Sequence, residues 1–164
     1  MNESIYRKIL LKHGADILFS PNMQSEKQFL QHGKVSVFTH SVAAACTCIR
    51  IARILRVRLG IRLNERALIR GALLHDYFLY DWHIPDRSHR LHGFFHARRA
   101  FENASRDFAL GEIERDMILR HMFPLNLIPP ACPESMILCA ADKLCALGET
   151  LTRASRYQKI SRFF

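Results

Sequence analysis

The stretch Gly71-Ala72-Leu73-Leu74-His75-Asp76 decides the fold, because an apolar helical run ends there on a histidine and an aspartate. Asn64 precedes this run and is the expected N-cap of a helix that passes through Leu68. Taken alone, a histidine next to an aspartate carries little information. The pair becomes informative because residues of the same two types recur along the chain.

Four other residues complete a set of potential metal ligands: His40, His96, His121 and Asp142. Each falls in a predicted helix near an apolar face, where burying a carboxylate such as Asp142 is costly without a cation or hydrogen-bond donors. One such histidine is usually an ordinary core or surface residue, but the set predicts a metal centre. Imidazole-rich sets suit one or two ions of Mn, Fe, Zn, Co or Ni better than Mg. Because such sites activate water, the set indicates a metal-dependent hydrolase.

Apolar residues recur every three or four positions through most of the chain, which predicts an all-α fold. The expected helices span residues 3–19, 22–31, 35–58, 64–76, 93–107, 111–121 and 134–149. His13-Gly14 is a candidate interruption of the first helix, and Gly33 is expected to end the second. Residues 80–91 are predicted to form a loop, and 153–164 either a short helix or a frayed basic tail. Without a linker or repeat, residues 1–164 are expected to form a single helical domain.

Composition narrows the class of protein further. The chain has 164 residues and a net charge of +9, which favours an anionic partner such as a phosphate ester. The five cysteines are odd in number and form no CxxC pair, a pattern typical of reduced core thiols. Residues 1–8 contain no apolar signal core, and no stretch approaches a membrane span. We therefore expect a cytoplasmic protein with no membrane association.

The order of these motifs resembles that of the HD-domain metal-dependent phosphohydrolase superfamily, in particular its small bacterial hydrolases. The resemblance covers about residues 30–150, the motif-bearing core. It rests on five segments: Thr39-His40-Ser41, Gly71-Ala72-Leu73-Leu74-His75-Asp76, His96-Ala97-Arg98-Arg99-Ala100, Leu119-Arg120-His121 and Ala141-Asp142-Lys143.

The resemblance implies an all-α helical bundle with five core helices around one or two divalent metals. The residues that match the ligands of the metal common to the family are His40, His75, Asp76 and Asp142. Members with two metals add two histidines, matched here by His96 and His121, and Asp76 would bridge the ions.

Several positions depart from the branch of the family that cleaves cyclic dinucleotides. Ala97 stands where that branch has proline, Met122 stands where it has a second histidine, and its lysine shortly after Asp76 is absent. These departures argue against a cyclic dinucleotide substrate and predict a more weakly held second metal. His92 is an alternative to His96, since residues four apart share one helix face.

Four further segments are candidates for contact with substrate. Asp81 is a candidate general acid, against the simpler interpretation of a loop aspartate. Lys143 follows the proposed ligand Asp142, and Arg120 precedes the proposed ligand His121. Both are candidates to bind phosphate; the simpler alternative is that each is solvated or ion-paired. Residues 31–34 are expected to offer phosphate-binding groups at the start of the long helix.

The sequence therefore predicts a phosphohydrolase that cleaves a phosphomonoester or phosphodiester, nucleotide-like in character. Asp76 would position the attacking water, and the loops at 80–92 and 122–133 would select the substrate. Two alternatives stay open: a metal-binding regulatory module without turnover, and a basic helical protein that binds nucleic acid.

Overall fold

We describe the chain from a computed structural model that covers residues 2–84, 92–152 and 154–164. Helices dominate this described part, with a single two-stranded hairpin beside them. The elements are α1 Glu3–Leu18, α2 Pro21–Ser25, β1 Leu30–His32, β2 Val35–Ser36, α3 Val37–Leu59, α4 Glu65–Leu74, α5 His92–Asp107, α6 Glu112–Arg120, α7 Pro133–Thr152 and α8 Gln158–Ser161. The predicted all-α class is confirmed.

Side-chain caps set the start of the helices that carry the site. Asn64 caps α4 as predicted, its Oδ1 accepting from the Ala67 amide at 3.0 Å. Ser36 caps α3 in the same way, through the Thr39 amide at 3.2 Å. Both helices therefore begin at positions that local sequence fixes, and the register of their ligands follows.

Helix α4 is the centre of the bundle and packs against α1, α3, α6 and α7. Gly71 allows α6 to approach closely, because a Cβ at this position would lie 2.5 Å from Sδ of Met117. A side chain there would require the Met117 side chain to move. The apolar run before His75 is therefore buried. His75 and Asp76, which follow it at the C-terminal end of α4, lie in the interior of the bundle.

The structure corrects the predicted helix over residues 22–31. Helix α2 ends at Ser25, and residues 30–36 form an antiparallel hairpin whose turn includes Gly33 at φ 61°. Gly33 thus serves a hairpin turn and not a helix C-terminus. The strands are too short for alternation of side chains to be visible in the sequence.

Residues 153–164 were predicted to form either a short helix or a frayed tail, and the structure of the described residues shows the helix. Residues 158–161 form α8, and Phe164 is buried near Phe19, with ring centroids 6.1 Å apart. Gln24 holds this end by donating to the carbonyl of Phe164 at 3.1 Å. The segment is therefore docked on the bundle, as a short helix.

Three other expectations can be compared with the described residues. Helix α1 is kinked at Gly14, the candidate interruption. Residues 80–84 are irregular, as expected for a loop, whereas 85–91 lie outside the described residues. All five cysteines are free thiols. Within the described ranges, no helix is long and apolar enough to cross a membrane.

Candidate metal centre

Six predicted ligand residues converge on one buried point. His40 comes from the middle of α3, His96 from α5 and Asp142 from α7, while His75 and His121 cap the C-termini of α4 and α6. Asp76 follows His75 directly. All six are at most 8% exposed. Residues far apart in the chain thus share one site because five helices meet there.

One half of the cluster joins His40, His75 and Asp142 to one oxygen of Asp76. Nε2 of His40 lies 3.0 Å from Oδ1 of Asp142 and 3.8 Å from Oδ2 of Asp76. Nε2 of His75 lies 3.6 Å and 3.4 Å from the same two oxygens. The potential ligand atoms of His40, His75 and Asp142 all lie within 4.8 Å of one another, so they could hold one ion.

The other half joins His96 and His121 to the second oxygen of Asp76. The two Nε2 atoms are 2.9 Å apart, and they lie 3.3 Å and 3.5 Å from Oδ1 of Asp76. Ligands held at about 2.1 Å from one ion are separated by about 3.0–3.4 Å in octahedral or tetrahedral geometry. The spacing therefore suits a single cation, and Asp76 presents a different oxygen to each half.

Hydrogen bonds at Nδ1 turn all four imidazoles so that Nε2 faces inward. His75 and His121 donate to carbonyls of their own last helical turns, which are free because the helices end there. The four acceptors, each at 2.8–2.9 Å, are Ala72 O for His75, Ile118 O for His121, His92 O for His96 and Glu149 Oε2 for His40. Such outer hydrogen bonds fix the tautomer in which Nε2 carries the lone pair.

The buried polar atoms fit a cation better than any protein partner. Nε2 of His75 and Oδ1 of Asp76 have no hydrogen-bond partner among the described residues, although both are buried. The lone pairs of His96 and His121 face each other at 2.9 Å. Unpaired buried acceptors are costly, and a positive charge among them removes the cost. The donor set therefore fits a divalent metal.

The pKa shifts of the metal-free cluster also indicate a site that attracts positive charge. Burial alone would lower the pKa of His40 and raise that of Asp142. Without metal, protonated His40 donates to both Asp142 and Glu149, which raises its pKa well above the usual range, and bonds from His40 and His75 lower the pKa of Asp142 well below it. For Asp76, attraction to His75 and His96 likewise outweighs burial and holds its pKa far below the usual range. Burial, with repulsion from neighbouring histidines, lowers the pKa of His121 to about 3. The interior therefore keeps its carboxylates ionised and attracts positive charge.

Three polar residues around the cluster have roles that the sequence did not predict. Glu149 accepts from Nδ1 of His40, and Gln31 donates to Oδ2 of Asp76 at 2.6 Å. Glu26 is completely buried, and neither of its carboxylate oxygens has a hydrogen-bond partner in the described ranges. Burial together with the charge of Asp76 raises its pKa well above the usual range. Glu149 lies two helical turns beyond Asp142, so its position on the same face was a usable signal.

A cleft of about 890 Å³ opens onto the cluster. Asp76, His96, His121 and Asp142 form part of its lining, and the remaining residues include Trp82, Lys143 and apolar side chains of the segment after α6. Nζ of Lys143 donates to the His121 carbonyl at 3.0 Å. A buried cluster beside a cavity of this size is the arrangement expected of an active site.

The structure also distinguishes between His96 and His92 as the candidate metal ligand on α5. His96 approaches Asp76, whereas Nδ1 of His92 lies 2.8 Å from the Tyr80 hydroxyl and its ring stacks on Trp82. His92 nevertheless lines the cleft. His96 is therefore the better candidate ligand, and His92 forms part of the cleft wall.

Of three other predicted substrate contacts, Arg120 and Asp81 lie outside the cleft lining, whereas residues 31–34 reach it. Arg120 does not line the cleft, because Asp116 pairs with it at 2.8 Å and the Pro129 carbonyl accepts from it at 2.9 Å, so its predicted phosphate contact is unsupported. Asp81 also lies outside the cleft lining and accepts from the His83 amide at 3.0 Å. Residues 31–34 belong to the hairpin; Gln31 and His32 line the cleft, and Gln31 also donates to Asp76, so the expected phosphate contact stays a prediction.

Comparison with known proteins gives one finding. A family model described as the HD domain matches residues 37–147, a span that includes all six predicted ligands. No curated protein and no solved structure matches the chain.

Proposed function

The chain belongs to the HD-domain family of the metal-dependent phosphohydrolase superfamily, and on this premise we propose that it hydrolyses a phosphomonoester or phosphodiester of nucleotide-like character. One observation carries the proposal: four inward-facing imidazoles and two ionised carboxylates surround one point beside an 890 Å³ cleft. Family membership alone would not distinguish a working centre from a degenerate one. The complete set of donors favours the working centre.

We assign two sets of ligands that share Asp76. His40, His75, Asp142 and Oδ2 of Asp76 would hold one divalent cation. The ligands of a second would be His96, His121 and Oδ1 of Asp76, with His75 close enough to Asp76 and His121 to form a three-ligand group with them as well. When bound, the cations would act as Lewis acids that lower the pKa of water and offset charge on the phosphoryl oxygens.

The protein's own residues prepare the reaction in three ways. The depressed pKa of Asp76 keeps this carboxylate ionised at every working pH, and Gln31 fixes its orientation. Lys143 adds a positive charge at the cleft wall, which stabilises charge that develops on phosphate. The wall after α6 presents Met122, Pro124 and Leu125, which exclude bulk water and strengthen these electrostatic interactions.

The nucleotide-like character of the substrate is an inference from the shape and chemistry of the cleft. Its volume is in the range that encloses a molecule of nucleotide size. Trp82 and His92 line one side and stack with centroids 5.0 Å apart, which supplies an aromatic surface beside the site of hydrolysis.

The test combines metal analysis with a turnover screen. Purified protein is loaded separately with Mn, Fe, Co, Ni, Zn and Mg and assayed on aryl phosphates, aryl phosphodiesters and nucleotides. Asp76→Asn should lose both bound metal and turnover, whereas Asp16→Asn, a matched change on the exposed side of α1, should lose neither. Metal binding without turnover on any substrate would favour a regulatory module. Failure to bind any of the metals would overturn the proposal.

A further inference from the structure

A second cavity lies beside Glu149, the hydrogen-bond partner of His40. This slot between α3 and α7 has a volume of about 640 Å³. It adjoins a groove of about 840 Å³ where α1, α3 and α8 meet, and the two share Arg50, Ile54, Arg156 and Tyr157. Among the residues that the structure describes, neither shares a lining residue with the cleft. Both volumes suit a small molecule.

Unpaired positive charge surrounds the groove. Its lining contains Arg50, Arg53, Arg58, Arg156 and Lys159 against a single carboxylate, and in the described part of the chain none of these five forms an ion pair. By contrast, six other arginines do form ion pairs with carboxylates: Arg66, Arg70, Arg98, Arg106, Arg115 and Arg120. Exposed guanidinium groups without partners are well shaped to bind phosphate.

The slot has a mainly apolar lining, and Gly148 forms part of it. Ile51, Ile54 and Leu144 supply apolar surface. Gly148 lies inside α7, where glycine costs about 0.5–1 kcal/mol relative to alanine. A Cβ at this position would meet no atom within 4 Å, so the packing of the helices does not require glycine. The absence of a side chain at Gly148 adds free volume to the slot.

The slot also contacts a residue that supports the candidate metal centre. Glu149 lines it, is 2% exposed and bonds to Nδ1 of His40 through Oε2, while its Oε1 has no hydrogen-bond partner among the described residues. A molecule in the slot would therefore pack against a residue that orients a candidate ligand.

We propose that the slot and groove together bind a small amphipathic phosphate ester, separate from the substrate of the cleft. Its phosphate would face Arg50 and Arg156, and its apolar or aromatic body would lie against Ile51, Ile54 and Leu144 beside Gly148. The surplus of five cations over one carboxylate favours a phosphate over a monovalent carboxylate. This binding site does not depend on the proposed hydrolysis, because it requires neither metal nor turnover.

The test uses full-length protein treated with chelator, so that metal-dependent binding in the cleft is removed. Calorimetry measures the affinity for AMP and for octyl phosphate, with inorganic phosphate as the free anion and phosphatidylglycerol vesicles as the lipid source. The double substitution Arg50→Gln, Arg156→Gln should weaken binding of the amphipathic esters about tenfold or more, as expected for lost charge-assisted hydrogen bonds. Gly148→Leu should weaken it similarly by filling the slot.

The matched control is Arg56→Gln, an exposed arginine on α3 that lines neither cavity. It should bind the esters like the wild type. Equal loss in the control, or no loss in the double variant, would overturn the proposal. Binding to vesicles alone, or equal affinity for inorganic phosphate and octyl phosphate, would also overturn it, because the apolar slot would then contribute nothing. The arginine substitutions keep the test valid if Gly148→Leu fails to fold.

Discussion

Glu149→Gln is the sharpest test of how the bundle supports its metal centre. The carboxylate accepts from Nδ1 of His40 at 2.8 Å, and both side chains are buried, so water cannot replace the bond. Glutamine has the same shape and keeps one acceptor oxygen, but it removes the negative charge. Loss of an outer-shell partner of this kind lowers metal affinity about 10–100-fold. This corresponds to about 1.4–2.7 kcal/mol.

The assay is competition for zinc or cobalt between the protein and a chromophoric chelator, over a range of pH. The charge of Glu149 helps to raise the pKa of His40, so the wild type must displace a more firmly held proton when it binds metal at low pH. Glu149→Gln lowers that pKa. The deficit in affinity should therefore be largest at alkaline pH and shrink as the pH falls.

Glu134→Gln is the matched control, because Glu134 is also buried on α7 and also accepts one hydrogen bond, from the Asn64 amide at 2.8 Å. Both substitutions should cost stability, on the order of 1 kcal/mol for a weakened buried hydrogen bond. Only Glu149→Gln should lower metal affinity. Equal affinities in the two variants, or a deficit that does not change with pH, would refute the reasoning.

Three further predictions follow from other parts of the structure. His96→Ala or His121→Ala should lower the metal content at saturation by about one ion while the first is retained, since the two sets of ligands share only Asp76; unchanged elemental analysis and rate would indicate a one-metal enzyme. Burial raises the pKa of Glu26 far above its value in the unfolded chain, so its contribution to stability is lost as pH rises above about 4.3. Glu26→Gln should then match the wild type near that pH and exceed it on the order of 1 kcal/mol at neutral pH, in denaturant titrations with chelator present; equal pH dependence in the two proteins would contradict this. Gly148→Ala should raise the unfolding free energy by about 0.5–1 kcal/mol, and a loss of stability would show that the glycine has a packing role.

The candidate ligands could be predicted from the sequence because the features that mark them are local. His75 and His121 each end an apolar helical pattern, and their rings are oriented by carbonyls only three residues away. Asp142 is conspicuous among apolar neighbours. Helix periodicity therefore placed these residues inside the bundle, and the order of the motifs supplied the family.

The supports of those ligands depend on contacts between distant segments, which local patterns do not encode. Gln31 reaches Asp76 only because residues 30–36 turn back as a hairpin, and strands of two and three residues have no readable alternation. Arg120 is ion-paired within α6, so proximity in sequence to His121 did not bring it into the cleft. The interpretation of residues 1–164 as one domain remains a prediction, as do the cytoplasmic location and the small phosphorylated partner.

The contact between His40 and Asp142 also makes the centre a reservoir of hydrogen ions. Nδ1 of His40 donates to Glu149, and its raised pKa keeps a second proton on Nε2, in the 3.0 Å bond to Asp142, when no metal is bound. A cation that takes this place must expel that proton into solvent. The measured heat of metal binding should consequently vary with the ionisation enthalpy of the buffer, and loading the protein in weakly buffered solution should acidify it.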